Sequence, residues 1–557
     1  MKLEQILPFL FFFILSACSP TNDALVEKDE VPFIWENATV YFLLTDRFQN
    51  GDPTNDQNYG RAEDYAPLRG FMGGDIEGVI QKIEEGYFTD LGVNAIWMTP
   101  VVEQIHGGVD EGSGKSYGFH GYWAKDWTTL DSNFGSMENY GKLVKIAHAK
   151  GIRIIMDVVM NHTGPVTMLD PQWPADWVRT SPNCTYQNYE STVNCTLVDN
   201  LPDILTGGTA NVALPQPLVD KWKVEGRYEA EMAELDSFFE RTGYPRAPKY
   251  YLIKWLADYV REFGVDGFRI DTVKHVEAGV WGELYKELVL AFNDWKANHP
   301  EAVLDDNDFY MVGEVYGYAI HNGQNYSYDG DTLVNFYAEG MSSIINFSLK
   351  YEVREKTAEQ LFSQYSQLLN TGELAAYSVM NYMSSHDDGS PFDAERTNVF
   401  ETANYLMLTP GAAQIYYGDE TARLLNVEEA EGDAKLRSFM NWNELNNDVQ
   451  RDGYTIHEIL HHYQKLGQFR RNHPSVGAGL HQMLQEKPYV FTRSISLDDY
   501  QDQVIISMEE GLGVVPVGEV FGEGEQIRNF YTNEKAVVKG GKVSLSEKGK
   551  LILLEKI

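Results

Sequence analysis

Four short stretches place charged or imidazole side chains where apolar runs end: "DVVMNH" (157–162), "GFRIDTVKH" (267–275), "GEVY" (313–316) and "SSHDD" (384–388). In the second, Arg269 and Asp271 are two residues apart, so on a strand they face the same side. A guanidinium beside Asp271 favours the ionised carboxylate that a nucleophile needs. Glu314 has no basic residue within six positions and stands among Val312 and Val315. A carboxyl in such a setting keeps its proton, as a general acid must. Two carboxyls with opposed environments suit glycoside hydrolysis. Adjacent strands would bring them near the roughly 5–5.5 Å of a retaining pair, an inverting pair needing about 6.5–9.5 Å.

The elements that must position these groups follow from the pattern of apolar runs. Strands are expected at 38–45, 93–100, 152–159, 265–271, 309–314, 332–336, 378–385 and 412–418. Between them, segments such as 136–150 and 249–263 carry apolar residues at three- and four-residue intervals, as core-facing helices do. Eight such units predict an α/β fold, a (β/α)8 barrel of the triosephosphate-isomerase type, with its active site at the C-terminal ends of the strands. The barrel is expected over 36–162 and 249–475. Residues 163–248, rich in Pro, Asn and Thr, are too long for an ordinary loop and predict an inserted subdomain. From about 476 to 557 short alternating runs replace the helical period and predict a separate all-β domain, a sandwich.

The chain has 557 residues, 43% hydrophobic, with a formal net charge of -37. That charge repels phosphate backbones and anionic lipid surfaces, so nucleic acid is excluded as a partner and a neutral substrate is favoured. The opening "MKLEQILPFLFFFILSACSP" has a basic residue and an apolar run too short to span a bilayer, and it reads as an export signal over residues 1–18. Its "LSAC" end resembles a bacterial lipobox. Cys18 would then be lipidated, residues 19–35 would tether the protein to an outer membrane, and that anchor would be the only membrane contact. Two cysteines remain, Cys184 and Cys195, and an exported chain with one such pair suggests a disulfide.

Taken in order and spacing, the four strand ends resemble the alpha-amylase superfamily of glycoside hydrolases, with support from "GGDIEGV" (73–79), "GFHGYWAKDW" (118–127), "LPDIL" (201–205) and "GAAQIYYGDE" (411–420). Within it, "GVDGFRIDTVKHVE" and "SSHDD" resemble the bacterial periplasmic alpha-amylases. The resemblance implies an alpha-glucan substrate, with Asp271 as nucleophile, Glu314 as acid/base and Asp387 as a third carboxylate gripping the sugar. Arg269 would orient Asp271. His162, His386, His120 and Tyr122 would line the cleavage subsite, and Lys274 and His275 would reach the leaving-group side. It also implies Ca2+, held by Asn161, by Asp199 and by the His275 carbonyl. A second cluster, Asn50, Asp52, Asn55 and Asp56 with Gly73 and Asp75 farther on, offers hard oxygen ligands. Ser385 departs from the pattern, since many members carry Asn before the His-Asp pair. Three readings are open: an endo-acting alpha-amylase, a cyclodextrin- or pullulan-cleaving enzyme or alpha-glucosidase of the same superfamily, and a non-catalytic glucan-binding lipoprotein. Retention of all three carboxylates weighs against the last.

Overall fold

A computed structural model describes residues 31–546 and 551–557. The expected signal, Cys18 and the first part of the tether lie outside the described residues.

Eight parallel strands close into a barrel in chain order: β1 Thr39–Leu43, β2 Ala95–Met98, β3 Arg153–Val158, β4 Gly267–Ile270, β5 Tyr310–Gly313, β6 Ser343–Asn346, β7 Ser378–Tyr382 and β8 Ala412–Tyr416. Every residue of these strands is buried, as expected of a sheet covered on both faces. Register sets the chemistry, because Arg269 on β4 lies opposite Asp157 on β3 and Val312 on β5. The next residue of each outer strand, Asp271 and Glu314, therefore leaves the barrel side by side.

Local signals start and stop the covering helices. Helix Met137–Ala149 opens on a capping box between Ser136 and Asn139. Helix Pro248–Phe263 begins with proline in its first turn and stops at Gly264, where φ is 73°. A Cβ at Gly264 would lie 2.1 Å from the Trp295 ring, so only glycine serves there.

The sixth expected strand, 332–336, is not in the barrel. Only Leu333–Val334 is extended, pairing antiparallel with Tyr326–Ser327, and Leu333 is 57% exposed. The barrel strand is Ser343–Asn346, whose polar Asn346 is satisfied inside by Asn381 and by the Ile320 N–H. The inserted region packs against the barrel. Its helices Gln216–Val224 and Tyr228–Thr242 send Leu218, Trp222, Leu235, Phe238 and Phe239 into the main core. Cys184 and Cys195 form the expected disulfide. At the other end, Phe33 lies under the Arg153 guanidinium and Trp35 stacks on Tyr310, so the expected tether is already docked on the barrel before residue 36.

The C-terminal region is all β. Strands 480–485, 490–497, 500–507, 552–556, 526–529 and 534–537 form one antiparallel sheet in that spatial order. Val515 and Val543 of a two-stranded sheet share a core with Val490, Ile505, Ile527 and Leu554 of the larger one. Among the described residues no helix is long and apolar enough to cross a membrane.

Candidate active site

Arg269 is fully buried in the barrel mouth and gathers the carboxylates. One guanidinium nitrogen lies 2.7 Å from Asp271 Oδ1 and 2.9 Å from Asp157 Oδ1, and the other lies 3.5 Å from Glu314 Oε2. Both expected catalytic carboxyls are thus within reach of a single cation. Asp157 is itself held by the Tyr122 hydroxyl at 2.7 Å and the Trp97 indole N–H at 2.9 Å. Burial, reinforced by the charge of Asp271, pushes Asp157 up to about 6 against the pull of Arg269.

Glu314 is pushed up to about 8, first by burial and then by the charges of Asp271 and Asp387, with Arg269 opposing. The Thr272 N–H donates to its Oε2 at 2.7 Å. Thr272 has a φ of 51°, a costly conformation for a β-branched residue, directly after the nucleophile candidate. The two carboxyls differ in geometry: Asp271 shares a short charged bond with Arg269, while Glu314 is farther from that cation.

Asp387 completes the trio from the end of β7. Burial works against its ionisation, but the adjacent His386 imidazole, then the Arg269 and Arg437 guanidiniums and a hydrogen bond from Ser385 at 3.3 Å, outweigh it and hold it below the ordinary carboxylate range. Ser385, the departure from the family pattern, thus supports Asp387. His386 is lowered to about 3 by burial, and burial also lowers His120 and His162, so the three rings are neutral at pH 7. His120 Nδ1 accepts from the Tyr122 N–H at 3.1 Å, and His162 Nε2 donates to the Tyr122 carbonyl at 3.1 Å. The Tyr122 ring stacks on His386 at 5.2 Å. Tyr122 is therefore the hub of this wall.

On the other side of Glu314, a cavity of about 410 Å3 is lined by Tyr186, Thr272, Lys274, His275, Glu314 and Tyr316. Lys274 Nζ donates to the Tyr316 carbonyl at 3.0 Å and His275 Nδ1 to the Thr192 carbonyl at 2.9 Å. Both residues line the same cavity as Glu314.

The cation sites divide. Asn161 Oδ1 lies 3.1 Å from the His275 carbonyl and 3.2 Å from Asp203 Oδ1, three oxygens converging; rotation of the amide would instead let its nitrogen donate to both. Asp203 is pushed up to about 8 by burial despite Arg179, as expected where the local positive charge is insufficient. These residues fit a hard cation. Asp199 does not join them, because its carboxylate accepts from Asn183 at the surface, and Asp203 takes its place. In the other cluster, the buried Asn50 and Asn55 side-chain oxygens have no hydrogen-bond partner, and Asn50 donates to Asp56. A Cβ on Gly73 would lie 2.7 Å from Asp56, so Gly73 is required for this approach. Asp52 instead accepts from Thr54, and Asp75 caps helix Ile76–Glu84 and receives Gly51, Asp52 and Asn55 donors. Among the described residues no three or more His, Cys, Asp and Glu side chains group as metal ligands, so any cation here would depend on amide and carbonyl oxygens.

Asp157, Asp203, Trp97 and Arg437 belong to the site beyond the residues expected from sequence. Asp157 and Asp203 lay within motifs already singled out, and a buried acid inside an apolar run was the available signal. Arg437, whose Nε donates to the His386 carbonyl, comes from a loop with no such signal.

A closed parallel barrel that presents paired carboxyls and a neutral, hydrogen-bonding wall at its strand ends has the architecture of a barrel glycoside hydrolase. The chain belongs to the alpha-amylase family of glycoside hydrolases, its residues 42–479 matching the alpha amylase catalytic domain. It is 34% identical over 535 residues to the periplasmic alpha-amylase of Escherichia coli K12, covering 84% of this chain and 72% of that one. It is 26% identical over 499 residues to a cyclomaltodextrin glucanotransferase of Geobacillus stearothermophilus, covering 87% of this chain but only 62% of the relative. In fold it is similar to an Anoxybacillus alpha-amylase, with a TM-score of 0.63 at 22% identity, covering 94% and 99% of the two chains. The alpha-amylase of Geobacillus thermoleovorans, solved with acarbose, gives a TM-score of 0.62 at 21% identity over 94% and 99%.

Proposed function

We propose that the protein is an endo-acting alpha-amylase that hydrolyses alpha-1,4-glucosidic bonds of starch, glycogen and maltooligosaccharides with retention of configuration. The observation that carries this reading is Arg269, which pairs with Asp271 at 2.7 Å and stands farther from Glu314, at 3.5 Å, whose carboxyl burial pushes up to about 8. Asp271 Oδ would attack the anomeric carbon while Glu314 gives its proton to the departing glycosidic oxygen, leaving a glycosyl ester on Asp271. Water would then attack the same carbon, Glu314 would take its proton, and Asp271 would leave as carboxylate. Asp387, with neutral His386 and His162, would hold the sugar hydroxyls, and Tyr122 would stack on the ring.

The similarity to a periplasmic alpha-amylase supports export, and the lipobox-like "LSAC" supports anchoring through Cys18. Calcium would be held by Asn161, Asp203 and the His275 carbonyl, and at Asn50, Asn55 and Asp56. It would fix the loop beyond β3 against the residues after Asp271. Chelation should then lower the melting midpoint, since an ion that binds only the folded state stabilises it by mass action. An unchanged midpoint with no calcium by elemental analysis would contradict the assignment.

Incubation with amylose, cyclodextrin and pullulan, followed by early-time proton NMR, tests the function. Amylose should be cut internally, faster than the other two, with alpha product appearing first. Initial beta product would exclude retention, and preference for cyclodextrin or pullulan would move the protein elsewhere in the family.

A further inference from the structure

The loop closed by the Cys184–Cys195 disulfide is one wall of the cavity on the leaving-group side of Glu314. It touches the segment after Asp271 at two points. The Thr192 carbonyl accepts from His275 Nδ1, and the Tyr186 ring stands edge-on to the same imidazole at 5.8 Å. Tyr186 has a φ of 56°, a conformation a bulky residue adopts only where its surroundings dictate it. The loop dictates it by folding back, with the Thr185 and Tyr186 N–H groups both directed at the Ser191 carbonyl. Although so constrained, the ring is 51% exposed, and across the cavity Tyr316 is 58% exposed. Two rings held open beside the acid carboxyl, one of them at a backbone cost, suit a sugar face that packs on aromatic surface.

Building on the proposed function, we infer that the disulfide-closed loop 184–195 is a positioning device for the leaving group. It holds Tyr186 as a platform for the departing glucosyl unit, whose glycosidic oxygen Glu314 protonates, and it steadies His275 beside it. The disulfide restricts the unfolded loop and the folded one alike, so its opening should release Tyr186 without dissolving the barrel, whose core does not include the cysteines.

The test compares the Cys184→Ser/Cys195→Ser protein with wild type on a maltooligosaccharide and on maltosyl fluoride, whose fluoride leaving group places no sugar in the cavity. Opening the loop should raise KM for the oligosaccharide by about tenfold while fluoride hydrolysis stays within about twofold. Tyr186→Ala should give the same oligosaccharide loss. Adding it to the opened loop should cost less than about a further twofold, as expected when two changes act through one contact. An unchanged oligosaccharide KM, a parallel loss on both substrates, or fully additive losses would overturn the inference. A wild-type enzyme that cleaves neither substrate would overturn the hydrolase reading and this one together. Cleavage of both by wild type, with indistinguishable variants, would overturn this one alone.

Discussion

Two buried charge clusters, one at the barrel mouth and one at the seam with the C-terminal sheet, use the same kinds of side chain to opposite ends. At the mouth, Asp157, Asp271 and Glu314 share the single guanidinium of Arg269, with Asp387 nearby. At the seam, His473 bridges Asp502 at 2.8 Å and Glu555 at 2.7 Å, and Arg528 adds a second cation to Glu555. Negative charge exceeds positive in the first and balances it in the second. The titrations diverge in part: Asp157 and Glu314 are raised, whereas Asp502 and Glu555, like Asp387 beside Arg437, are held below the ordinary range by their partners, although burial opposes this. A balanced cluster joins two parts of a fold. An unbalanced one leaves a proton available for chemistry.

The largest effects should come from the mouth. Asp271→Asn should reduce hydrolysis of maltooligosaccharides and of maltosyl fluoride by at least about 10^4-fold, because both need the nucleophile. Glu314→Gln should cost roughly 10^2- to 10^4-fold on maltooligosaccharides, which need a proton at the leaving oxygen, and much less in glycosyl-enzyme formation from the fluoride, which does not. Steady-state rates on both substrates with pre-steady-state fluoride release measure this. Equal losses in Glu314→Gln would break the assignment of roles.

Asp157→Asn should act at one remove. It removes a charge from Arg269 and alters the anchors of Tyr122 and Trp97, so kcat should fall roughly 10- to 100-fold. The basic limb of the pH profile should shift as well, a change that a merely structural residue would not cause. An unshifted profile would separate Asp157 from the cluster.

His473→Gln should leave kcat within about twofold and cost roughly 2–3 kcal/mol of stability at pH 6. Burial alone would lower His473, but its bonds and charges with Asp502 and Glu555 outweigh burial and raise it. A histidine raised on folding contributes stability fully below its unfolded value near 6.5 and loses that contribution as pH rises through its folded value. Urea unfolding at pH 6 and pH 9 should therefore show a smaller difference between variant and wild type at the higher pH. A pH-independent difference would mean that the seam is not charge-balanced.

The sequence made most of the mouth legible because its polar residues interrupt apolar runs, and seven of the eight barrel strands were legible for the same reason. The failures share a cause. "TLVNF" at 332–336 is more apolar in pattern than the true strand "SIIN", whose polar Asn346 is satisfied by the buried Asn346–Asn381 pair that only the closed barrel brings together. Asp199 and Asp203 are four residues apart in one loop, and spacing did not distinguish the acid that turns to solvent from the one that turns to Asn161. Asp157 shows in the sequence only as an acid inside an apolar run, because its partners Arg269, Tyr122 and Trp97 are remote in the chain. The seam cluster is likewise assembled from distant strands, and His473 carried no local sign of its two acids.

The central claim is that unbalanced burial keeps a proton on Glu314 at neutral pH. Infrared difference spectroscopy of wild type against Glu314→Gln measures that proton through the carbonyl stretch of a protonated carboxyl. The account predicts a band present at pH 7, absent in the variant, and titrating away near pH 8. A Glu314 band already lost by pH 5, as for an ordinary glutamate, would contradict it.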